Sequence, residues 1–396
     1  MVPGRPAKPG ASGARAGRRS GLVASASAGS EFLVDRSDLR HFTFVPAAEA
    51  AAIQLRPGEV ALRVDKFGFS ANNITYALLG EVMRYWEFFP APDGWGRIPV
   101  WGYGDVARSA HEEISEGERV FGYLPMSTHV VVQPEPVSAG AFVDGLPHRA
   151  ELPSVYQRYS RLAGDPRYAP EEEDQQALWR PLFMTSFGAA DYLVENDLFG
   201  ARAVVLSSAS SKTALGVAFL LSRGRRSQCE VIGLTSSSNV PFCIGVGYYD
   251  SVLDYADLRG LAREAPTVVV DFAGDPKLLR ELRERLGDNL RHACIVGATH
   301  WEQREPGQDL ATADAEFFFL PPWLERRRRE WGPGEFGRRY SEAWSAFLPS
   351  AGGWLQVARG DGPAAVEAVY LDLLEGRADP AVGHILSLAE SFPGAG

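Results

Sequence analysis

The chain has 396 residues, 45% of them hydrophobic and 23% charged, with a net charge of -10; this is apolar enough for two or three cores and excludes a wholly disordered chain. The acidic balance excludes a nucleic-acid binder, which needs clustered cations to displace counterions from phosphates. Cys229, Cys243 and Cys294 stand at spacings of neither a zinc nor a redox motif, and no apolar run approaches the ~20 residues of a bilayer span, so no disulfide scaffold and no membrane helix is expected.

Residues 1–30 carry five Lys or Arg and no acid among Ala, Gly, Ser and Pro. That composition fits either a disordered tail or an organelle transit peptide, so the expected location is the cytoplasm, or an organelle if the segment is a transit signal. A β-rich domain is expected over 31–180. VALRVDKFGFS alternates, Gly94, Gly96, Gly102, Gly104, Gly117 and Gly122 punctuate, and EGERVFGYLPMSTHVVVQP supplies two more strands. Within it, residues 135–180 read as a lid-like insertion or surface loop, polar, with Tyr156, Tyr159 and Tyr168 and the acid run Glu171 to Asp174.

Beyond Pro181 the rhythm becomes helix, strand, helix. LFMTSFGAADYLVEN is a helix, ARAVVLS a strand, TALGVAFLLSR a helix and CEVIGLTS a strand; SVLDYADL, TVVVDFAG and RHACIVGAT follow as strand signals around the helix PKLLRELRERLG. Such alternation over 181–335 predicts a doubly wound parallel sheet. Glu325 to Glu330, ERRRRE, reads as a solvated helix face. A C-terminal segment, 336–396, contributes helix, the strand WLQVARG and another helix.

The turn SSASSKT lies where a doubly wound sheet presents free N–H groups and a helix dipole to a pyrophosphate. Glycine normally fills that turn; here Ser207, Ser208, Ser210 and Ser211 offer small size and hydroxyls instead, with Lys212 and Thr213 behind them. A Walker A loop is excluded, because its two glycines are missing. At the end of the second strand an NAD site needs an acid for the ribose hydroxyls. Ser236, Ser237, Ser238 and Asn239 stand there, so NADP(H) is favoured, with Lys212 as the nearest cation for a 2′-phosphate.

A β module followed by this αβ series resembles the medium-chain dehydrogenase/reductase superfamily, near its zinc-independent quinone- and enoyl-reductase branch, over about Val60 to Thr299. The carriers are ANNITYALLG, GERVFGYLPMSTHVVV and YYDSVLDYADL. NNITYA, SSASSKTA, GATHWE and EFFFLPPWLERRRREWGPGEF together resemble a family of unknown function within that superfamily. The resemblance implies an α/β chain: a chaperonin-10-like β catalytic domain, a Rossmann nucleotide-binding domain, and a C-terminal segment returning to the first. It implies no zinc here, since every Cys lies in the Rossmann half. Polarisation of the acceptor then falls to side chains. The candidates are Tyr76, as proton donor or core aromatic; Asn73 with Asn72, as carbonyl or carboxamide ligands or a helix cap; and His300, as proton donor or loop histidine, with Thr299 framing the ring.

Two functions stand open. One is a zinc-independent NADP(H)-dependent reductase of a polarised double bond (enone, enoyl thioester or quinone) taking a small apolar carbonyl-containing substrate. The other is a non-catalytic nucleotide-binding or scaffold protein that keeps the fold, favoured by the serine-for-glycine exchange. No nucleic-acid or membrane partner is expected, and a homodimer is left open.

Overall fold

The computed structural model describes residues 29–48, 52–165, 168–225, 229–296 and 315–389. Short apolar runs broken by glycine and polar turns build the first half as antiparallel sheet. β1 (Gly29–Asp35), β2 (Phe42–Ala47) and, after β3 (Val60–Phe69) and helix α1 (Ala71–Leu78), β4 (Trp95–Gly96) form a three-stranded sheet in the order β2-β1-β4. β3 enters a larger sheet with β5 (Pro99–Ser109), β6 (Arg119–Pro125), β7 (His129–Val132), β8 (Pro134–Ser138), β9 (Ala141–Asp144) and β10 (Arg158–Arg161). The stretch read as a lid-like insertion, 135–180, is corrected by these strands: β8, β9 and β10 extend the main sheet beyond β6.

A second correction concerns the first long helix. α2 (Glu173–Glu195) begins well before Pro181, which lies inside it. Pro181 has no N–H for the Ala177 carbonyl. At that carbonyl the backbone of β3 comes close: a Cβ on Gly68 would stand 2.6 Å from the Ala177 oxygen. The acid run is thus a helix start, and Glu173 and Asp174 are buried. Glu173 pairs with Arg119 at 2.6 Å and Lys66 at 3.1 Å, and Asp174 pairs with Lys66 at 2.7 Å and Arg359 at 2.6 Å. These pairs fasten α2 to the first domain's larger sheet before it crosses to the next domain.

The second domain is a parallel sheet. β11 (Ala203–Leu206), β12 (Glu230–Thr235), β13 (Ser251–Asp254), β14 (Thr267–Asp271), β15 (Leu290–Ile295) and β16 (Glu316–Phe317) lie in the order β13-β12-β11-β14-β15-β16. β11 and β14 are buried throughout, as parallel strands covered on both faces must be. Alternate residues divide the core. Val204 and Leu206 pack with α2, α3 (Lys212–Arg225) and, later in the chain, α6 (Leu320–Gly352), whereas Val205 packs with Leu278 and Leu282 of α5 (Pro276–Leu286). A short helix, α4 (Val240–Val246), joins β12 to β13.

α6 is kinked at Gly332, whose φ is 76°. It stays against α2 and α3 to its end, so the chain returns to the first sheet only at β17 (Gln356–Asp361), later than the expected boundary at 336. α7 (Gly362–Leu374) then crosses over to β18 (Val382–Ser387), which is parallel to β17 and antiparallel to β3. Tyr370 of α7 locks the return, its ring 4.9 Å from Phe32 and its hydroxyl donating to the Leu39 carbonyl at 2.6 Å. Among the described residues no helix is long and apolar enough to cross a membrane.

Candidate active site

β11 ends at Leu206 and α3 begins at Lys212, so Ser207 to Ser211 fill the first strand-to-helix turn of the parallel sheet, beside which ligands sit in such sheets. Ser207 is fully buried. Its Oγ donates to Asp271 Oδ1 at 2.5 Å and accepts from the N–H groups of Phe272 and Ala273 at 2.8 and 3.0 Å, tying the turn to the end of β14. Ser208 takes a φ of 45°, the left-handed region that a side chain enters at a cost of about 1–2 kcal/mol. Two tyrosines brace that conformation: Ser208 N–H donates to the Tyr255 hydroxyl and the Tyr249 hydroxyl donates to the Ala209 carbonyl, each at 2.7 Å. Ser211 caps α3 by accepting from Ala214 N–H at 3.3 Å. The N–H groups of Lys212 and Thr213 stand in the first turn, where a helix has no carbonyl four residues back to receive them and its dipole is positive.

β12 delivers the second loop. Ser237 and Ser238 are exposed, and the hydroxyls of Ser236 and Ser238 lie 3.1 Å apart. Asn239 Nδ2 donates to Ser210 Oγ at 3.1 Å and the Thr235 hydroxyl to the same oxygen at 3.4 Å, so the two loops are joined. No carboxylate occurs from 235 to 239. This donor set fits a dinucleotide: Ser210, Ser211, Lys212 and Thr213 for the pyrophosphate, Ser236, Ser237 and Asn239 for a phosphorylated ribose. The ammonium of Lys212, however, donates to the Val382 carbonyl at 2.9 Å, at the start of β18 in the other domain. Burial pulls its pKa down to about 8, with Asp379 opposing the shift.

β18 also leads to the corner between β3 and α1. His384 lies opposite Phe69, directly before Ser70, the N-cap of α1. Asn73 is 4% exposed; its Oδ1 accepts from Ser70 N–H at 2.9 Å and its Nδ2 donates to the Pro99 carbonyl at 3.0 Å. Both polar groups therefore hold the β3–α1 corner against β5. Asn72 is only half-buried and stands on α1 one turn before Tyr76, whose phenol oxygen accepts from Trp101 Nε1 at 3.3 Å. Burial raises the Tyr76 pKa, so the phenol keeps its proton. A crevice between α1, β5 and α2 is lined by Ser70, Asn72, Trp101 and Leu178.

Around Tyr76 stands an aromatic cage that the sequence reading overlooked. Tyr85 lies 4.7 Å from it, Tyr123 5.6 Å and Tyr156 6.4 Å, between ring centroids. The available signal was the two-residue spacing of Trp101 and Tyr103 in β5 and of Phe121 and Tyr123 in β6, which puts all four on one face. The Tyr123 hydroxyl is buried without a hydrogen-bond partner among the described residues. Phe317 of β16 packs against this cluster, so the cage borders the parallel-sheet domain. Thr299 and His300 lie outside the described residues.

The family model described as "Protein of unknown function (DUF2855)" matches residues 67–379. A search of curated proteins finds no match. Among solved structures, CurA from Vibrio vulnificus in complex with NADPH is similar at 14% identity, covering 90% of this chain and 98% of its own, with a TM-score of 0.53. A protein from Mesorhizobium loti, provisionally an NADPH:quinone reductase, covers 92% and 99% at 14% identity with a TM-score of 0.56. The CurK enoyl reductase covers 91% and 99% at 13% identity with a TM-score of 0.50. The α/β fold is therefore that of these solved structures, a chaperonin-10-like β domain joined to a Rossmann domain.

Proposed function

The chain belongs to the DUF2855 family, and on that premise we propose that it is a zinc-independent, NADP(H)-dependent oxidoreductase that reduces a polarised double bond in an enone, enoyl thioester or quinone. The supporting observation is the acid-free loop Ser236 to Asn239 hydrogen-bonded to the turn at Ser210, with α3 beginning beside it and reaching the catalytic domain through Lys212. CurA, of the same fold, binds NADPH.

NADPH, when bound, supplies a hydride. Ser210, Ser211 and the first-turn N–H groups of α3 hold its pyrophosphate, and Ser236, Ser237 and Asn239 hold the ribose phosphate with hydroxyl and amide donors. Asn72 and Tyr76 face the acceptor's oxygen. The Tyr76 phenol carries the proton delivered there, and the surrounding rings exclude water. Zinc independence is supported by the cysteines: Cys229 precedes β12, Cys243 lies in α4 and Cys294 in β15, all buried in the parallel-sheet domain. Burial drives the Cys243 thiol to about 12, far from the thiolate a metal needs.

One observation favours the non-catalytic alternative. Ser208 N–H, a group a pyrophosphate would use, already donates to Tyr255. An NADPH-oxidation assay with 2-methyl-1,4-naphthoquinone separates the readings. The Tyr76→Phe variant is expected to lose about 10²–10⁴-fold in kcat with little change in KM. Absence of turnover in the native chain, with NADPH bound, would favour the alternative.

A further inference from the structure

Three successive residues of β18 touch three parts of the proposed site. The Val382 carbonyl accepts from Lys212 Nζ at 2.9 Å. Gly383 lies bare against α2: a Cβ there would stand 2.5 Å from Leu178 Cδ1, and Leu178 lines the crevice beside Asn72 and Trp101. His384 lies opposite Phe69, which leads through Ser70 into α1. Close-packed contacts transmit displacement, so the placement of β18 sets the crevice wall and the β3–α1 corner together.

Lys212 connects this strand to the serine turn. It is the first residue of α3, directly behind Ser207 to Ser211, and its side chain crosses from one sheet to the other to reach Val382. An ammonium has three N–H donors, and the carbonyl takes one of them. A phosphate oxygen is the stronger acceptor, because Coulomb attraction adds to the hydrogen bond. Two groups act on Lys212 from the elements around it. The charge of Asp379, ahead of β18, favours the ammonium, and His384 has its pKa lowered by burial and then by the charge of Lys212.

We infer that Lys212 is a positioning residue that clamps the domains around the nucleotide: its ammonium holds the pyrophosphate and the Val382 carbonyl at once, so a filled serine turn fixes β18 and, through Gly383 and His384, the crevice. The inference rests on the proposed nucleotide site and adds to it that the shape of the acceptor crevice depends on the nucleotide. Desolvation holds the pKa of Lys212 at about 8, and a phosphate beside it raises that value again.

The test uses the full chain and 2′-phospho-ADP-ribose, which is NADP without its nicotinamide, so that no ring stacked in the crevice contributes. At pH 8.5 the ligand's phosphates are fully ionised and Lys212 is mostly neutral before binding. Calorimetry in two buffers of different ionisation heat should therefore show uptake of about half a proton or more per ligand. Hydrogen exchange in β18 should slow at least about fivefold. In Lys212→Met both signals should vanish at saturating ligand, with affinity lower by at least about tenfold. Lys212→Arg, whose charge is permanent, should keep most of the affinity and the slowing of β18 but take up no proton. Binding to the native chain without proton uptake, or with β18 exchange unchanged, would overturn the inference and leave the nucleotide site standing. So would a slowing of β18 that survives in Lys212→Met. No binding to the native chain would sink the nucleotide site, and the clamp with it.

Discussion

At the scale of single residues, the half-buried Lys212 and the buried Arg149–Asp144 pair carry consequences that can be measured. Lys212 joins the domains through the Val382 carbonyl, and its folded pKa of about 8 lies below its ordinary value. Between those two values the unfolded chain binds more protons than the folded one, so stability rises with pH from about 8 upward. Denaturation measured from pH 7 to 10.5 should show that rise in the native chain and not in Lys212→Met; parallel curves would mean that Lys212 sits in water. Arg149 and Asp144 form a pair at 2.8 Å, 1% and 0% exposed. Its atoms are out of line for a hydrogen bond, so the attraction is that of two desolvated charges, and burial pushes the Asp144 pKa up. Removing one partner strands the other: Arg149→Leu should cost about 3–5 kcal/mol, and the Arg149→Leu/Asp144→Asn pair clearly less than the sum of the singles. Additive losses in urea denaturation would argue against coupling.

At the scale of elements, α2 decides how the two domains are joined. Glu173 anchors its start: burial works against the charge, yet hydrogen bonds from Arg119, Tyr168 and Lys66 bring its pKa down to about 2. A depressed carboxyl stabilises the fold above its ordinary value and loses that contribution as pH falls toward 2. Glu173→Gln should therefore cost about 1–3 kcal/mol at pH 7, with the gap to the native chain shrinking as pH falls from 4.5 toward 2. A gap independent of pH would place the effect elsewhere. α2 also shows where the sequence misleads. Pro181 reads as a boundary, but its missing N–H sits at the one turn where Gly68 crowds the Ala177 carbonyl, so the helix runs through it. β11 and β14 were legible because strands buried on both faces are unbroken apolar runs, AVVL and TVVVD. β8 and β10 were not, because PEPVS and RYSR are short and carry exposed polar residues. At the site, the serine turn and the acid-free loop could be read from residue type alone. The cap at Asn73 is local and could be read as one option, but the tie of its amide to Pro99, 26 residues away, could not, and the cage is assembled from four separate segments, which no local pattern reports.

At the scale of the whole molecule, one feature unites both halves. β18 returns from the far end of the chain to lie against β3, presenting the Val382 carbonyl to Lys212 and His384 to Phe69, two residues before α1. The serine turn, the α1 corner and the cage thus meet along one seam between the domains. Occupation of that seam should also stabilise the protein, by about 2.7 kcal/mol at a hundredfold excess of ligand over its Kd. The most direct measurement is a titration of the full chain with NADPH and NADH, repeated on the Ser236→Asp/Ser237→Asp variant. A reductase that reads the ribose phosphate with its serine loop binds NADPH well ahead of NADH and loses that preference when carboxylates replace the hydroxyls. Binding of neither nucleotide, or equal binding unchanged by the aspartates, would contradict a nucleotide site at this loop.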